Sequence, residues 1–390
     1  MQFERECEST TAHENISNFF HNSGMKAIFK SFFSIDIGLQ IVECKLFKND
    51  VEISVGMGKG SGKEPVLGSE FESLEHYYYN HQRHEKNVRS VIDIIGQNNG
   101  LASDPALEFV KEYYVNVDSF KSINKNENLF YPSFLNDTNY VETDLKDNHS
   151  SNYSSDNGVA SGSSVAEATM HSINELIERD TISKFLIKYG LNQNQDVIAN
   201  LIDINSLPSR LRRLVFSIEK TVNAELELVK IINIYSIPTY MAVIINKQIS
   251  PISFYGSGTS LSEEYAIERA ITEAFQLFCV SGKEDKNIYY RIEKIWNNIP
   301  IMKDMLTLNF INELNKIECS KTKKIELSLN DLLNKEVEIL SSHRVDIFRR
   351  VILNNKSFSL VQCLIPEFER FNLVLEGQLV LPRIAIDNSK

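Results

Sequence analysis

The stretch "GVASGSSVAEATMHSINELIERDTISKF", Gly158–Phe185, carries the strongest pattern in the chain. Small, turn-forming residues lead into a long run without glycine or proline, which predicts a turn followed by a helix. On a helix advancing about 100° per residue, Glu167, His171, Glu175 and Glu178 share one quadrant, and Met170, Ile173, Leu176 and Ile177 cover the opposite side. The apolar side is the core side. Carboxylates at neighbouring turns repel by roughly a few tenths of a kcal/mol per pair, so their alignment asks for an explanation.

The arrangement recurs. "GKGSGKEPVLGSEFESLEHYYYN" (58–80) and "GSGTSLSEEYAIERAITEAFQ" (256–276) also run from a glycine/serine turn into a helix with acids on one face. In the first, Glu72, Glu75 and His76 oppose Phe71, Leu74 and Tyr78. In the second, Arg269, Glu273 and Gln276 oppose Ile267, Ile271, Ala274 and Phe278. Singly, these residues have plain structural explanations. Ser164-x-x-Glu167 and Ser260-x-x-Glu263 read as capping boxes, and Glu175 precedes Arg179 by four, the favourable order for an ion pair. The threefold repetition is what such explanations leave over. Divalent cations make clustered carboxylates tolerable, and Mg²⁺ takes carboxylate oxygens while keeping waters and substrate phosphates. Glycine turns at helix starts suit phosphates as well. Acids, Mg²⁺ and a polyphosphate therefore answer the repetition together, although "GKGSGK" does not meet the G-x-x-x-x-G-K-[ST] pattern of a P-loop.

Composition fits an ordinary globular chain: 390 residues, 42% hydrophobic and 24% charged. The net charge of -11 and the lack of a Lys/Arg-rich block argue against nucleic acid and anionic membranes as partners. No stretch approaches the roughly 20 apolar residues of a membrane span, and the chain reads as cytoplasmic. Its five cysteines are scattered and odd in number, with no C-x-x-C pair, so neither disulfides nor a zinc site is expected.

The element pattern is mixed α/β. Strand-like runs "LQIVECKLF" and "DVEISVGMG" occupy a β-containing segment, 1–55, and the rest, 56–390, reads as a domain continuous with it. Residues 137–158 are polar and turn-rich, which predicts an exposed loop. An amphipathic stretch at "LPSRLRRLVFSIEK" and strands at "ELELVKIINIY" and "PTYMAVIIN" follow the central helix. Helical patterns at "INELNKIE" and "LNDLLNK" and apolar runs "FSLVQCLI" and "FNLVLEGQLVL" close the chain.

Taken together, the motifs resemble those of the YcaO family, ATP-dependent enzymes that activate peptide backbone amides and are best known as cyclodehydratases of thiazole/oxazole-modified peptides. The central stretch matches the family's E-A-x-x-(H/Q)-x-x-x-E-x-x-E-R at Glu167, Ala168, His171, Glu175, Glu178 and Arg179. "AIERAITEAFQ" resembles the later R-A-x-T-E-x-x-Q at Arg269, Glu273 and Gln276, and "VQCLIPEF" is similar to the apolar strand ending in V-x-x-x-x-P-G, with Glu367 in place of glycine. The resemblance spans roughly residues 56–370. Ser163 stands where the central turn often has asparagine. In the first motif the family writes G-K-G, a spacer and S-x-x-x-E-x-x-E-R, whereas Ser69 stands three residues before Glu72 and His76 replaces the arginine. Either one residue is deleted and Glu72 and Glu75 are the acids, or Ser73 and His76 occupy acid positions; the surviving E-x-x-E spacing favours deletion. The chain ends "LVLPRIAIDNSK", without the P-x-P-x-P tail usual in azoline-forming members.

The resemblance implies a YcaO-like fold whose repeated glycine-turn and helix units line an ATP cleft. It implies ATP and Mg²⁺ as cofactors, with Glu72, Glu75, Glu175 and Glu178 on the metal. Ser69, Ser163, Glu167, His171, Arg179, Arg269, Glu273 and Gln276 would bind the nucleotide; no general base is identified. The implied reaction is phosphorylation of backbone amide oxygens in a ribosomally made precursor peptide, with a leader and a Cys/Ser/Thr-rich core, so that those side chains close into thiazoline or oxazoline rings. The alternatives are a thioamide-forming enzyme and a catalytically degenerate scaffold subunit. Implied partners are a separate E1-like, leader-binding protein, a flavin-dependent dehydrogenase in the same complex, and further copies of the chain as a homo-oligomer.

Overall fold

The computed structural model describes residues 3–35, 37–82, 84, 86–143, 145, 149–245, 253–281, 297, 299–320 and 325–387. Helix α1 (Ser9–Asn22) precedes three strands, β1 (Met25–Ser34), β2 (Leu39–Lys48) and β3 (Val51–Ser61), and then helix α2 (Glu64–Asn80). Strands β4 (Val88–Ser90), β5 (Tyr114–Ser122), β6 (Asn128–Pro132) and β7 (Val159–Gly162) lead to the central helix α3 (Val165–Phe185). Strand β8 (Ile198–Ile202), helix α4 (Ser209–Val222) and strands β9 (Glu225–Ile232), β10 (Thr239–Ile245) and β11 (Phe254–Thr259) bring the chain to helix α5 (Glu263–Ser281). Strand β12 (Lys316–Ile317), helix α6 (Leu329–Ser342), β13 (Phe348–Asn354) and β14 (Ser359–Leu364) complete the main elements. The architecture is mixed α/β, as expected.

Two compact units divide the chain, one of Met1–Ser23, Leu74–Asp180 and Leu327–Lys390, the other of Gly24–Ser73 and Thr181–Glu326. The second holds an antiparallel meander, β1-β2-β3, and a five-stranded sheet ordered β11-β10-β9-β8-β12, antiparallel except for β12 on β8. Its core joins Leu211, Val215 and Ile218 of α4 to Ile267, Ile271 and Phe275 of α5, over Leu228 and Tyr240 of the sheet. Glycines let helices press directly onto strands. A Cβ at Gly58 would stand 1.8 Å from Pro65 O, and one at Gly256 2.0 Å from Ala274 N, so no larger residue fits while α2 and α5 keep their places.

The first unit holds a sheet ordered β4-β5-β13-β14-β7, with β6 paired to β5. Here the glycine is Gly162, whose Cβ would lie 2.7 Å from Ala168 N at the start of α3. Met170, Ile173, Leu176 and Ile177 are buried as expected, but so are Thr169, Ser172, Asn174 and Asp180. Burial thus reaches beyond the apolar side of α3, leaving His171, Glu175 and Arg179 part-exposed, and its small polar groups bond the surrounding backbone and side chains. Ser172 Oγ donates to Gly158 O at 2.5 Å and accepts from Cys363 N at 3.1 Å. Asp180 accepts from Glu369 N at 2.9 Å, and Thr169 from Arg349 at 3.0 Å.

Other expectations also need adjusting. Helix α1 was not anticipated. Residues 311–318 are not helical as expected: a 3₁₀ turn (Asn309–Glu313) and the short β12 take their place, and only Ile311 buries itself in that turn. In the polar segment 137–158, Asp137, Ser150, Tyr153 and Ser155 are buried, so it is not uniformly exposed. Tyr153 OH donates to Leu381 O and accepts from Leu381 N, at 3.2 and 2.7 Å. Residues 144 and 146–148 of that segment lie outside the described residues. The cysteines are free, and no described helix is long and apolar enough to cross a membrane.

Candidate functional site

The start of α3 is where the sequence pattern and the structure meet most closely. Ser164 caps the helix, accepting from Glu167 N at 3.2 Å. The Glu167 carboxylate does not close the reciprocal half of a capping box. It is 1% exposed, accepts from Arg5 Nη1 at 2.8 Å and from Glu6 N at 3.0 Å, and is thereby tied to the segment Glu4–Cys7. Ser164 Oγ also donates to the Glu6 carboxylate at 2.9 Å, and Cys7 Sγ lies 3.8 Å from Ser163 Oγ. A short distant segment thus bonds three consecutive features of the central turn, and sequence reading assigned none of it a role.

Further along α3, Glu178 is 4% exposed and Glu175 half-buried, with Arg179 beside both: Nη1 is 3.5 Å from Glu178 and Nε 3.8 Å from Glu175. His171 is half-buried on the same side. Two carboxylates one turn apart, one of them almost withdrawn from water, with a guanidinium alongside, form a strongly polar strip in low dielectric.

On α2 the two readings of the irregular motif separate physically. Ser73 is fully buried, its hydroxyl donating to Glu70 O at 2.9 Å and lying 3.5 Å from Cys44 Sγ. Glu72, Glu75 and His76 are half-buried instead. A buried hydroxyl committed to its own helix makes a poor metal ligand. Ser69 is buried too, and its hydroxyl donates to Val66 O at 2.7 Å.

On α5, Arg269, Glu273 and Gln276 are half-buried, one helical step apart as the periodicity required. Glu273 pairs with Lys59 at 2.8 Å, which adds the lysine of Gly58-Lys59-Gly60 to the polar face. The α5 cap is corrected. Ser262, not Ser260, accepts from Tyr265 N, at 3.4 Å, and Glu263 is taken by Lys230, Tyr240 and Ser320.

Among the described residues, no three His, Cys, Asp or Glu side chains converge as a ready metal cage. Mg²⁺ keeps waters and phosphate oxygens and takes only one or two carboxylates from protein. Glu175 and Glu178 lie one turn apart on α3, and Glu72 and Glu75 one turn apart on α2.

The family's sequence model, described as YcaO cyclodehydratase, ATP- and Mg²⁺-binding, matches residues 57–369. The chain therefore belongs to the YcaO family, and ATP and Mg²⁺ are the cofactors of that family. Its fold is similar to that of YcaO from Methanopyrus kandleri bound with AMPPCP and Mg²⁺, at 15% identity and a TM-score of 0.68, over 97% of this chain and 95% of that one. A heterocyclase in complex with substrate and cofactor aligns at 15% identity and a TM-score of 0.64, over 93% of this chain and 53% of the other. The Escherichia coli microcin synthetase McbBCD complex with pro-MccB17 bound aligns at 13% identity and a TM-score of 0.60, over 88% of each chain. At these identities the likeness is one of fold. Compared with curated protein sequences, the chain has no match.

Proposed function

We propose that this chain is the ATP-dependent cyclodehydratase subunit of a peptide-modifying complex, phosphorylating backbone amide oxygens of a ribosomally made precursor so that Cys, Ser or Thr side chains close into azoline rings. The observation that carries the reading is the intact central motif. Glu167, Ala168, His171, Glu175, Glu178 and Arg179 all stand on α3 at the family's spacing, and Arg179 lies beside both Glu175 and Glu178.

Mg·ATP, when bound, supplies the phosphoryl group that caps the amide oxygen and departs with it as phosphate. The chain's own work is positioning and charge neutralisation. Glu175 and Glu178, with Glu72 and Glu75, would hold Mg²⁺. Arg179 and Arg269 would offset phosphate charge, and Ser163, His171, Glu273 and Gln276 would complete the nucleotide contacts, while the buried Ser69 and Glu167, bonded to Val66 O and to Arg5, would shape the two turns instead. Lys59, held by Glu273, joins that set.

The test is product mass with the precursor and its leader-binding partner present. Ring formation removes about 18 Da per ring while ATP goes to ADP and phosphate. A gain of about 16 Da would move the chain to thioamide formation by the same amide activation. Modification without ATP turnover by this chain would make it a scaffold.

A further inference from the structure

Strand β1 is an outer strand of the meander in the second unit. It pairs with β2 along one side, and among the described residues no strand pairs with the other. In a strand bonded on one side, every second residue turns its N–H and C=O to the open side, which makes such an edge a template for another main chain. Native edges are usually short, bulged or covered. This one is ten residues long, and its register with β2 is unbroken over residues 25–31.

The side chains narrow what can pair there. Lys26, Ile28 and Lys30 alternate onto one face and all are exposed, Ile28 by 45%; Phe29, on the other face, is 41% exposed. The strand "MKAIFKSFFS" holds no acid, in a chain of net charge -11. On β2, Lys45 stands opposite Ile28 and pairs with Glu52 at 2.9 Å. Glu43 stands opposite Lys30, whose Nζ rests over the Phe32 ring, 5.1 Å from its centre. The row Lys26, Ile28, Lys30 disfavours the same edge of a second copy: antiparallel pairing about Ile28 sets Lys26 against Lys30 twice, and like charges directly opposite are destabilising. The neighbour that fits is an extended segment reading acid-x-apolar-x-acid.

Across the three strands the register runs Ser31, Val42, Gly58 and Phe33, Ile41, Lys59. The C-terminal end of β1 is therefore level with the lysine that pairs with Glu273. With strands about 4.8 Å apart, a strand added to β1 lies about 14 Å from Lys59, a gap that about five extended residues span. We propose that the open edge of β1 holds the precursor peptide by main-chain pairing, through an acid-x-apolar-x-acid segment, and leaves the residues beyond that segment to reach Lys59. This rests on the peptide-modifying function proposed above. An unfolded precursor has its main-chain N–H and C=O groups free along its length, whereas a folded partner offers them only at an edge of its own.

The probe is acetylated, amidated Thr-Glu-Thr-Val-Thr-Glu-Thr. One control carries Lys for both Glu; the other keeps Glu and is methylated on every main-chain nitrogen. Amide resonances of residues 25–31 in ¹⁵N-labelled protein should move saturably with the probe, and both controls should bind about tenfold or more weakly. In Lys26→Glu/Lys30→Glu the preference between the Glu and Lys peptides should reverse. The three peptides on unaltered protein decide the matter if that variant does not fold. No saturable shift, or equal binding of the methylated peptide, overturns the edge pairing. A sedimenting dimer that the double variant loses would give the edge to a second copy and overturn it too. About five further residues ending in an activated ester, added at either end of the probe in turn, should acylate Lys59 from one of them; no acylation of Lys59 leaves the edge to a partner protein's strand and overturns the assignment to the substrate. Mg·ATP binding is measured calorimetrically on the same sample. ATP bound without a peptide response strikes the β1 assignment alone, whereas a peptide response without ATP binding strikes the cyclodehydratase reading alone.

Discussion

Arg5 reaches the Glu167 carboxylate at 2.8 Å across 162 residues of sequence, and Glu167 is almost wholly withdrawn from water. A buried carboxylate depends on its donors more than an exposed one does, because water cannot replace them.

Arg5→Ala should therefore lower the stability of the chain by about 1–3 kcal/mol in urea unfolding. Glu167→Gln alone should change stability less when Arg5 is already alanine than when it is present, which a double-mutant cycle reads directly. An unaltered unfolding midpoint in Arg5→Ala would show that the Glu6 N–H suffices.

The two acids of α2 differ from its buried serine. Glu75→Gln should weaken Mg·ATP binding by about tenfold or more, the loss of one charge-assisted contact. Ser73→Ala should leave that affinity nearly unchanged and act on stability alone, through the lost bonds to Glu70 O and Cys44. The reverse pattern in calorimetry would restore the gapless alignment.

His84 lies between two carboxylates, with Nδ1 2.9 Å from Asp118 and Nε2 2.7 Å from Asp137. Burial works against its charge, but the hydrogen bonds to Asp118 and Asp137 outweigh that and lift it from 6.5 to about 9. Its contribution is complete below pH 6.5 and is lost as pH rises through about 9. Unfolding free energy should fall across that window by an amount on the order of 2 kcal/mol, and His84→Gln should flatten the profile. Parallel profiles for the two proteins would refute the assignment.

Glu336 of α6 is fully buried, and neither carboxylate oxygen has a hydrogen-bond partner. Burial, and then the charge of Glu4, hold its carboxyl well above the ordinary 4.5. The folded chain keeps a proton that the unfolded chain releases, so stability is full below pH 4.5 and declines as pH rises above it. Glu336→Gln has no such proton to lose. It should match the parent near about pH 4 and exceed it at about pH 7.5; a variant weaker than the parent at neutral pH would mean that Glu336 is charged and paired.

Periodicity and glycine punctuation made α2, α3 and α5 legible, because those signals are local and the strand-on-helix contacts at Gly58, Gly162 and Gly256 leave a direct mark in sequence. Long-range bonds leave none. Arg5 with Glu167 and Gln362 with Asn136 are separated by 162 and 226 residues. Nothing near Ser172 or Asp180 announces that Cys363 and Glu369 will supply their partners, so the burial of those two polar side chains of α3 is not legible in the sequence. Helix α1 was missed for another reason: only Ala12, Ile16 and Phe20 are buried, a narrow stripe in an otherwise polar run. The candidate site was legible as residue types on helix faces. Which acids stay accessible, and that Lys59 pairs with Glu273, followed only from coordinates.

The placement of Cys7 offers an optical window on the central turn. Three of the five thiols, Cys44, Cys279 and Cys363, are buried, leaving Cys7 and Cys319 partly accessible. With Cys319 replaced by serine, a fluorophore attached through Cys7 would sit within a few bond lengths of Ser163. Its emission would then register, in real time and without a substrate, whatever rearranges the start of α3.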